Sequence, residues 1–461
     1  MVTGVSHHGA AGDSPAGDPH HRADGGPTPV DPVPPAGSAA HVLGPLLAAI
    51  MGRDVPVRFE FWDGSAVGPP RGGDTILGTL EIRSPDAVRR ILWAPGELGV
   101  ARAFVAGDIT VEGDLYPLLR VLHAGSPRDL RSMGLRTMAT ILDAARRLGV
   151  LGPPLPVPPE EAKPAGRLHS PARDARAISH HYDVGNDFYR LVLGPAMTYS
   201  CARFVSPEST LEEAQAAKHE LVCRKLGLHV RPGARLLDVG CGWGSMALHA
   251  ARHHGATVVG VALSSEQVTA ATLRAAEAGL DDRVEIRLQD YRQLRGETFD
   301  AISSIGMFEH VGASRMTGYF ETLRALLTPT GRLLNHAISK PGGSFLGPKT
   351  FVGRYVFPDG ELVDVSSVIG SMQEAGFEVR DVESLREHYS RTLHHWVSNL
   401  EAHWDEAVTQ VGLPRANIWR LYMAASANGF DDGGLAIHQV LGVVPAPDGA
   451  SGMPPTRGDW G

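Results

Sequence analysis

The stretch Arg235-Leu-Leu-Asp-Val-Gly-Cys-Gly-Trp-Gly244 sets a short apolar run against a glycine turn. Leu236, Leu237 and Val239 read as a buried strand. Asp238 precedes three glycines at alternate positions, Gly240, Gly242 and Gly244, and Ser245 to His254 then carries a helical apolar pattern that stops at Gly255. A strand, a glycine turn and a helix make a nucleotide-type site, because glycine permits positive φ and lets the backbone approach a ligand. A G-x-G-x-G turn by itself fits many α/β domains. With an acid ahead of the first glycine, and without the G-x-G-x-x-G spacing that cradles a pyrophosphate, it points to S-adenosylmethionine rather than a dinucleotide.

The chain has 461 residues, room for two or three domains, and 43% apolar content is ample for large cores. A net charge of −8 argues against a nucleic-acid partner. Three cysteines, Cys201, Cys223 and Cys241, cannot build a disulfide framework and show no zinc spacing, so a reducing cytosol fits. No apolar run approaches the ~20 residues needed to span a bilayer. The N-terminus lacks the apolar core of a signal peptide, which leaves peripheral membrane contact.

Residues 1–40 hold seven Gly and seven Pro, and are expected to be a disordered tail. The paired histidines His7, His8, His20 and His21 there lack fixed geometry for a metal. Val55 to Trp62 alternates as a half-buried strand does, Asp63-Gly64 turns, and Ile76 to Ile82 alternates again. Residues 41–151 therefore read as a small α+β accessory domain. Residues 152–166 hold six prolines and read as a semi-stiff linker. A second domain spans 167–444, and 445–461 looks like a loose tail.

That second domain repeats a strand–helix rhythm. Its candidate strands are Arg235–Val239, Thr257–Ala262, Val284–Leu288, Asp300–Ile305 and Arg332–Ile338. The alternation predicts a Rossmann-like, doubly wound, mostly parallel sheet with helices on both faces. Ligands bind beyond the carboxyl ends of such strands. The chemistry-bearing residues cluster there: Gly240 to Gly244, Ala262 to Gln267, Gln289-Asp290, Gly306 to His310 and His336 to Ser339.

Taken singly, these residues have ordinary explanations. Glu309 fits a helix start, where an acid favours the dipole. His336 fits a satisfied core histidine, Cys201 a buried structural thiol, and Tyr389 an aromatic core position.

Together they resemble the cyclopropane fatty acid synthases, including the mycolic acid cyclopropane synthases. The resemblance covers residues 178–444. It rests on His180-His-Tyr-Asp-Val-Gly-Asn-Asp-Phe-Tyr189, Met197-Thr-Tyr-Ser-Cys201, Leu237 to Gly244, Gly260-Val-Ala-Leu-Ser-Ser-Glu-Gln267, Leu288-Gln-Asp-Tyr291, Ile305-Gly-Met-Phe-Glu-His-Val-Gly312, His336-Ala-Ile338 and His388-Tyr-Ser-Arg-Thr-Leu393. Residues 55–122 are similar to the accessory domain ahead of the catalytic domain in bacterial members.

The resemblance implies methylation of the cis double bond of an acyl chain, usually within a membrane phospholipid, with bicarbonate bound in the site. It assigns the bicarbonate cage to Cys201, Glu309, His336, Tyr389 and the backbone of Ile338. Cofactor contacts carry over to Tyr199, Ser200, Gly240, Gly242, Gln267, Asp290 and Ile305, beside the motif's own Asp238 and Gly244. Some members place Thr at Ala262 to contact the ribose, so that contact is missing or replaced here. It also implies a cytoplasmic enzyme, peripheral at the inner membrane face, and leaves open a homodimer or a reductase partner.

The chemistry suits these residue types. An alkene is a poor nucleophile and needs a sulfonium methyl as electrophile. Methyl transfer leaves a carbocation, so the pocket must be apolar and closed, with Phe188, Tyr389 and Trp396 as aromatic faces for the cation. A base then removes one proton. Proton loss with ring closure gives a cyclopropane; a hydride shift first gives a methylene branch, which a reductase converts to a 10-methyl chain. Arg120, Arg128, Arg131, Arg136, Arg146 and Arg147 form a basic amphipathic stretch suited to an anionic membrane surface or to an ordinary solvated helix face. A methyltransferase of a different small-molecule nucleophile and a non-catalytic lipid-binding protein are the alternative readings.

Overall fold

The computed structural model of the chain describes residues 34–52, 54–71, 76–125, 135–163, 166, 173, 184–346 and 350–460. The paired histidines of the first 33 residues, the opening His180–Asp183 of one motif, and Arg128 and Arg131 lie outside the described residues.

Order begins earlier than His41. The helix Ala39–Met51 starts at Ser38, whose Oγ accepts from the His41 N–H at 3.3 Å. Alternation in the sequence becomes a four-stranded sheet of order β2-β1-β3-β4, built from β1 (Val57–Phe61), β2 (Ala66–Val67), β3 (Gly78–Ile82) and β4 (Ile109–Gly113). Inward-facing Val57, Phe59 and Phe61 pack with Leu80, Ile82, Phe104 and Leu118.

The proline-rich segment does not run free. Arg89 donates to Pro153 O at 2.8 Å and Trp93 Nε1 to Gly152 O at 2.9 Å. Arg102 forks onto Glu161 at 2.7 and 2.8 Å, and Tyr355 donates to the same carboxylate at 3.2 Å. The segment thus straps the small sheet to the larger part of the chain. Asn428 Nδ2 donating to Tyr116 O at 2.8 Å makes a second tie.

Among the described residues, seven strands form the large sheet: β5 (Arg235–Val239), β6 (Thr257–Ala262), β7 (Val284–Leu288), β8 (Phe299–Ile305), β9 (Leu327–Ser339), β12 (Glu378–Ser384) and β13 (Ala436–Val443), in the order β12-β13-β9-β8-β5-β6-β7. Between β9 and β12, β10 (Ser344–Phe345) and β11 (Glu361–Leu362) make a separate ladder. The five strands expected from the apolar rhythm are mutually parallel, as the sequence predicts. Two strands were not expected. β13 inserts antiparallel between β12 and β9. The mostly parallel sheet carries helices on both faces and buries β5 almost throughout.

Residues 445–461 correct the expectation of a loose tail. Trp460 is only 5% exposed, Arg457 pairs with buried Asp381, and Arg332 donates to Gly452 O at 2.9 Å. Asp381 also holds the buried Lys225 at 2.9 Å.

Candidate active site

The turn after β5 puts Gly240, Gly242 and Gly244 at φ of +75°, +54° and +78°. Val261 O accepts from the Gly240 and Cys241 N–H groups at 2.9 and 3.1 Å, pinning the turn to β6. A Cβ at Gly240 would meet the Met307 side chain at 3.2 Å, whereas one at Gly242 would meet nothing. Beyond this turn, at the carboxyl ends of the parallel strands, lies a cavity of about 490 Å³.

Of the expected cofactor contacts, Tyr199, Ser200, Asp238, Gly240, Gly242, Gln267, Asp290 and Ile305 all line this cavity. Gly244 does not. It starts the helix Ser245–His254, and a Cβ there would press on Ala271 at 3.2 Å, so it sets helix packing rather than touching a ligand. Asp238 Oδ1 accepts from Ser303 on β8 at 2.7 Å, and its Oδ2 is buried without a partner. Burial pushes its carboxyl up to about 6, against the pull of Ser303 and the Lys218 charge. An unmatched acceptor at the end of β5 suits a ligand that presents N–H or O–H groups. Asp290 is already engaged, gripped by Arg292 at 2.9 and 2.6 Å.

Lys218 also lines the cavity, and the sequence reading missed it. It is a fully buried lysine whose Nζ donates to Ser200 Oγ at 2.9 Å. Burial holds its ammonium down to about 8, with Cys201 and Asp238 opposing. In Leu211-Glu-Glu-Ala-Gln-Ala-Ala-Lys218 it looks like any solvated helix lysine.

None of Cys201, Glu309, His336, Ile338 and Tyr389 lines the cavity. His336 and Ile338 sit on β9, Glu309 on the turn after β8, Tyr389 on the helix Arg386–Ala402 and Cys201 in a loop. Ile305 of β8 stands in register with His336 of β9. Glu309, on the turn after β8, accepts the Ile338 N–H at 2.8 Å through Oε1, and its Oε2 is buried without a partner. Burial pushes Glu309 up to about 7, only partly offset by that backbone donor. Gln439 Nε2 donates to His336 Nδ1 at 3.1 Å, which leaves the proton on Nε2, also buried without a partner. Burial keeps this imidazole well below its ordinary pKa and so neutral. Gln439 was not anticipated because β13 was not.

Cys201 Sγ donates to Ala202 O and Leu385 O at 3.2 and 3.6 Å, and burial pushes its thiol up. That is a donor's environment and not a nucleophile's. The Tyr389 N–H donates to the same Leu385 O at 3.0 Å. The Tyr389 ring stands 6.0 Å from Trp396 and 4.7 Å from Phe430. Tyr199, which lines the cavity, lies 5.2 Å from Trp396 and 5.8 Å from Trp419. Phe188 joins this aromatic mass through Trp419 at 5.6 Å. Trp396 Nε1 is a further buried atom without a partner.

A mostly parallel doubly wound sheet, an acid at the end of its first strand and a positive-φ glycine turn over a strand-end cavity define a Rossmann-like, S-adenosylmethionine-dependent methyltransferase. The model of the mycolic acid cyclopropane synthetase family matches residues 169–440. The chain belongs to that family. It is 43% identical over 412 residues, 87% of this chain and 93% of the relative, to a probable fatty acid methyltransferase of Mycobacterium tuberculosis. It is 33% identical over 376 residues, 80% of this chain and 90% of the relative, to the cyclopropane-fatty-acyl-phospholipid synthase of Escherichia coli. Among solved structures, the mycolic acid cyclopropane synthase CmaA1 complexed with SAH and CTAB aligns with a TM-score of 0.54 at 33% identity. That alignment covers 58% of this chain and 98% of CmaA1. No helix among the described residues is long and apolar enough to cross a membrane.

Proposed function

We propose that this chain methylates the cis double bond of an unsaturated acyl chain carried by a phospholipid, and that bicarbonate held in the site assists. S-adenosylmethionine supplies an electrophilic methyl group, and bound bicarbonate supplies a proton acceptor. The single observation that carries the reading is that Glu309 Oε2 and His336 Nε2 are buried and unmatched just outside the cavity, beside its lining residues His310 and Ile305.

Both atoms fit an anion. His336 Nε2 carries a proton, and burial favours the protonated form of Glu309 by lifting its carboxyl to about 7. Buried polar atoms without partners are costly unless a ligand joins them. Glu309 Oε2 and His336 Nε2 would hold bicarbonate, with the Ile338 N–H fixing the Glu309 carboxylate from behind and Cys201 and Tyr389 on the other side of the ion. Lys218 and Ser200 orient the cofactor's polar end, while Asp238 Oδ2 receives its donors. Tyr199, Trp396, Tyr389 and Phe430 exclude water and present ring faces to positive charge developing on the acyl chain. This apolar mass, reached from the cavity through Tyr199, favours the lipid reading over a polar small-molecule acceptor.

The phospholipid substrate is supported by the Escherichia coli relative, whose name states it. The same cage serves ring closure to a cyclopropane and a hydride shift to a methylene branch. Mass spectrometry of lipids from a host expressing the chain tests the proposal. One added methylene unit per modified acyl chain is expected, and ring or branch is read from fragmentation. Unaltered lipids alongside intact cofactor binding would overturn it. On the membrane side, the exposed Leu142, Arg146 and Arg147 of the helix Leu135–Arg147 support peripheral contact at an anionic surface.

A further inference from the structure

Two helices that wall the cofactor cavity carry a second cluster of side chains, none of which lines that cavity. The helix Leu211–Leu226 supplies Glu220 and Cys223, three residues apart and so on one face. The helix Ser245–His254 supplies His249 and His254. One ligand atom from each of Cys223, His249 and His254 lies within 4.8 Å of the others. Glu220 Oε2 sits 2.9 Å from His254 Nε2 and 3.4 Å from His249 Nε2. Cys223 is a free, buried thiol.

With metal–ligand bonds of about 2.0–2.1 Å, tetrahedral ligand atoms stand about 3.3 Å apart. Glu220 stands at hydrogen-bonding distance from both imidazoles, outside the three-residue ligand cluster. A hydrogen-bonded His–Glu–His cluster would explain the imidazoles but gives the thiol beside them no part. One thiolate and two imidazoles are a donor set for Zn²⁺ and not for Mg²⁺ or Ca²⁺, which take oxygen ligands.

We propose that Cys223, His249 and His254 form a Zn²⁺ site distinct from the methyl-transfer centre, with Glu220 beside both imidazoles. On binding, the metal replaces the Cys223 thiol proton, which passes to solvent, and each imidazole binds through the ring nitrogen that carries no proton. No electron transfer is involved. Three protein ligands hold the metal and a water completes the tetrahedron. The site staples the two helices together. Lys218 and His219 on one and Ser245 and Met246 on the other line the cavity, so the staple fixes the distance between two of its walls.

The test uses the full-length, tag-free, reduced protein, stripped of metal by chelator and titrated with Co²⁺ as the spectroscopic probe. One equivalent is expected to give a thiolate-to-cobalt charge-transfer band with tetrahedral visible bands, bleached by Zn²⁺. Histidines elsewhere in the chain offer no thiolate and cannot produce that band. Cys223→Ser should lack it, and His254→Gln should weaken Co²⁺ binding at least ~10-fold. Zn²⁺ should raise the melting temperature of the stripped wild type and leave that of His254→Gln unmoved. Absence of the band in the wild type, its survival in Cys223→Ser, or unaltered Co²⁺ affinity in His254→Gln would overturn the site. If Cys223→Ser fails to fold by circular dichroism, the partly exposed His254→Gln decides alone.

Discussion

Glu309 and Ile338 bridge two neighbouring strand ends: Oε1 of the acid accepts the Ile338 N–H at 2.8 Å, and Oε2 is left unmatched. Burial lifts this carboxyl from its ordinary 4.5 to about 7, so between those values the folded chain holds a proton that the unfolded chain has lost. Stability therefore falls as pH rises through that window, by on the order of 3 kcal/mol once Glu309 is ionised. Glu309→Gln keeps an acceptor for Ile338 and removes the charge. It should melt higher than wild type near pH 8 and show no such gain near pH 4. Turnover should drop at least ~100-fold with S-adenosylhomocysteine affinity nearly intact. Unchanged turnover would reduce Glu309 to a loop anchor.

Gly240 should not tolerate a β-branched side chain. Its φ of +75° is one that valine rarely adopts, and its Cβ would stand 3.2 Å from Met307 at the cavity wall. Gly240→Val should weaken cofactor binding by more than ~100-fold in calorimetry, because strain and bulk act at the same spot. Wild-type affinity in a folded variant would rule out this cavity as the cofactor site.

Lys218 should make cofactor affinity depend on pH. Its ammonium titrates near 8, so affinity for S-adenosylhomocysteine, which carries a carboxylate, should fall as pH rises through that value. Lys218→Met should bind roughly 10-fold more weakly near pH 7 and show no such slope. The stability effect has the opposite sense. The folded chain holds fewer protons than the unfolded one between about 8 and 10.5, so stability grows with pH there and the burial cost is fully present below 8. Equal affinities for wild type and variant across the range would remove Lys218 from the site.

Trp460 should behave as core. At 5% exposure it packs with Leu226, Leu228, Ala234 and Leu441. Trp460→Ala should cost about 3 kcal/mol in urea unfolding, whereas a free tail would cost nothing.

Membrane contact is tested by changing Arg128, Arg131, Arg146 and Arg147 to Gln and sedimenting with anionic vesicles. Each well-placed cation contributes ~1 kcal/mol. Arg147 should count for less, since Asp143 lies 2.8 Å from it. Binding and salt dependence equal to wild type would show that residues 120–147 do not carry the interaction.

Much of the cavity lining was readable because β5, β6 and β8 are largely buried and leave apolar runs, and polar residues then stand out at their ends. β12 was not readable. Glu378-Val-Arg-Asp-Val-Glu-Ser384 is an edge strand with mostly polar residues, which resembles a loop. Missing β12 also hid β13, and with it Gln439, the partner that sets the His336 tautomer. Cys223, His249 and His254 are too widely spaced in sequence for a zinc motif, and only helix packing unites them. Trp460 sits among Gly, Pro and Arg, so periodicity had nothing to detect.

The position of β13 bears on how the enzyme comes into being. It is the last strand of the sheet to be synthesised, yet it occupies an interior place between β12 and β9. Until it inserts, β9 has an open edge and His336 lacks Gln439. The cofactor cavity draws its walls from the ends of β5, β6, β7 and β8, all made before β13, whereas the His336 side is closed only when β13 arrives. Cofactor binding and completion of the His336 side should therefore emerge at different moments of synthesis.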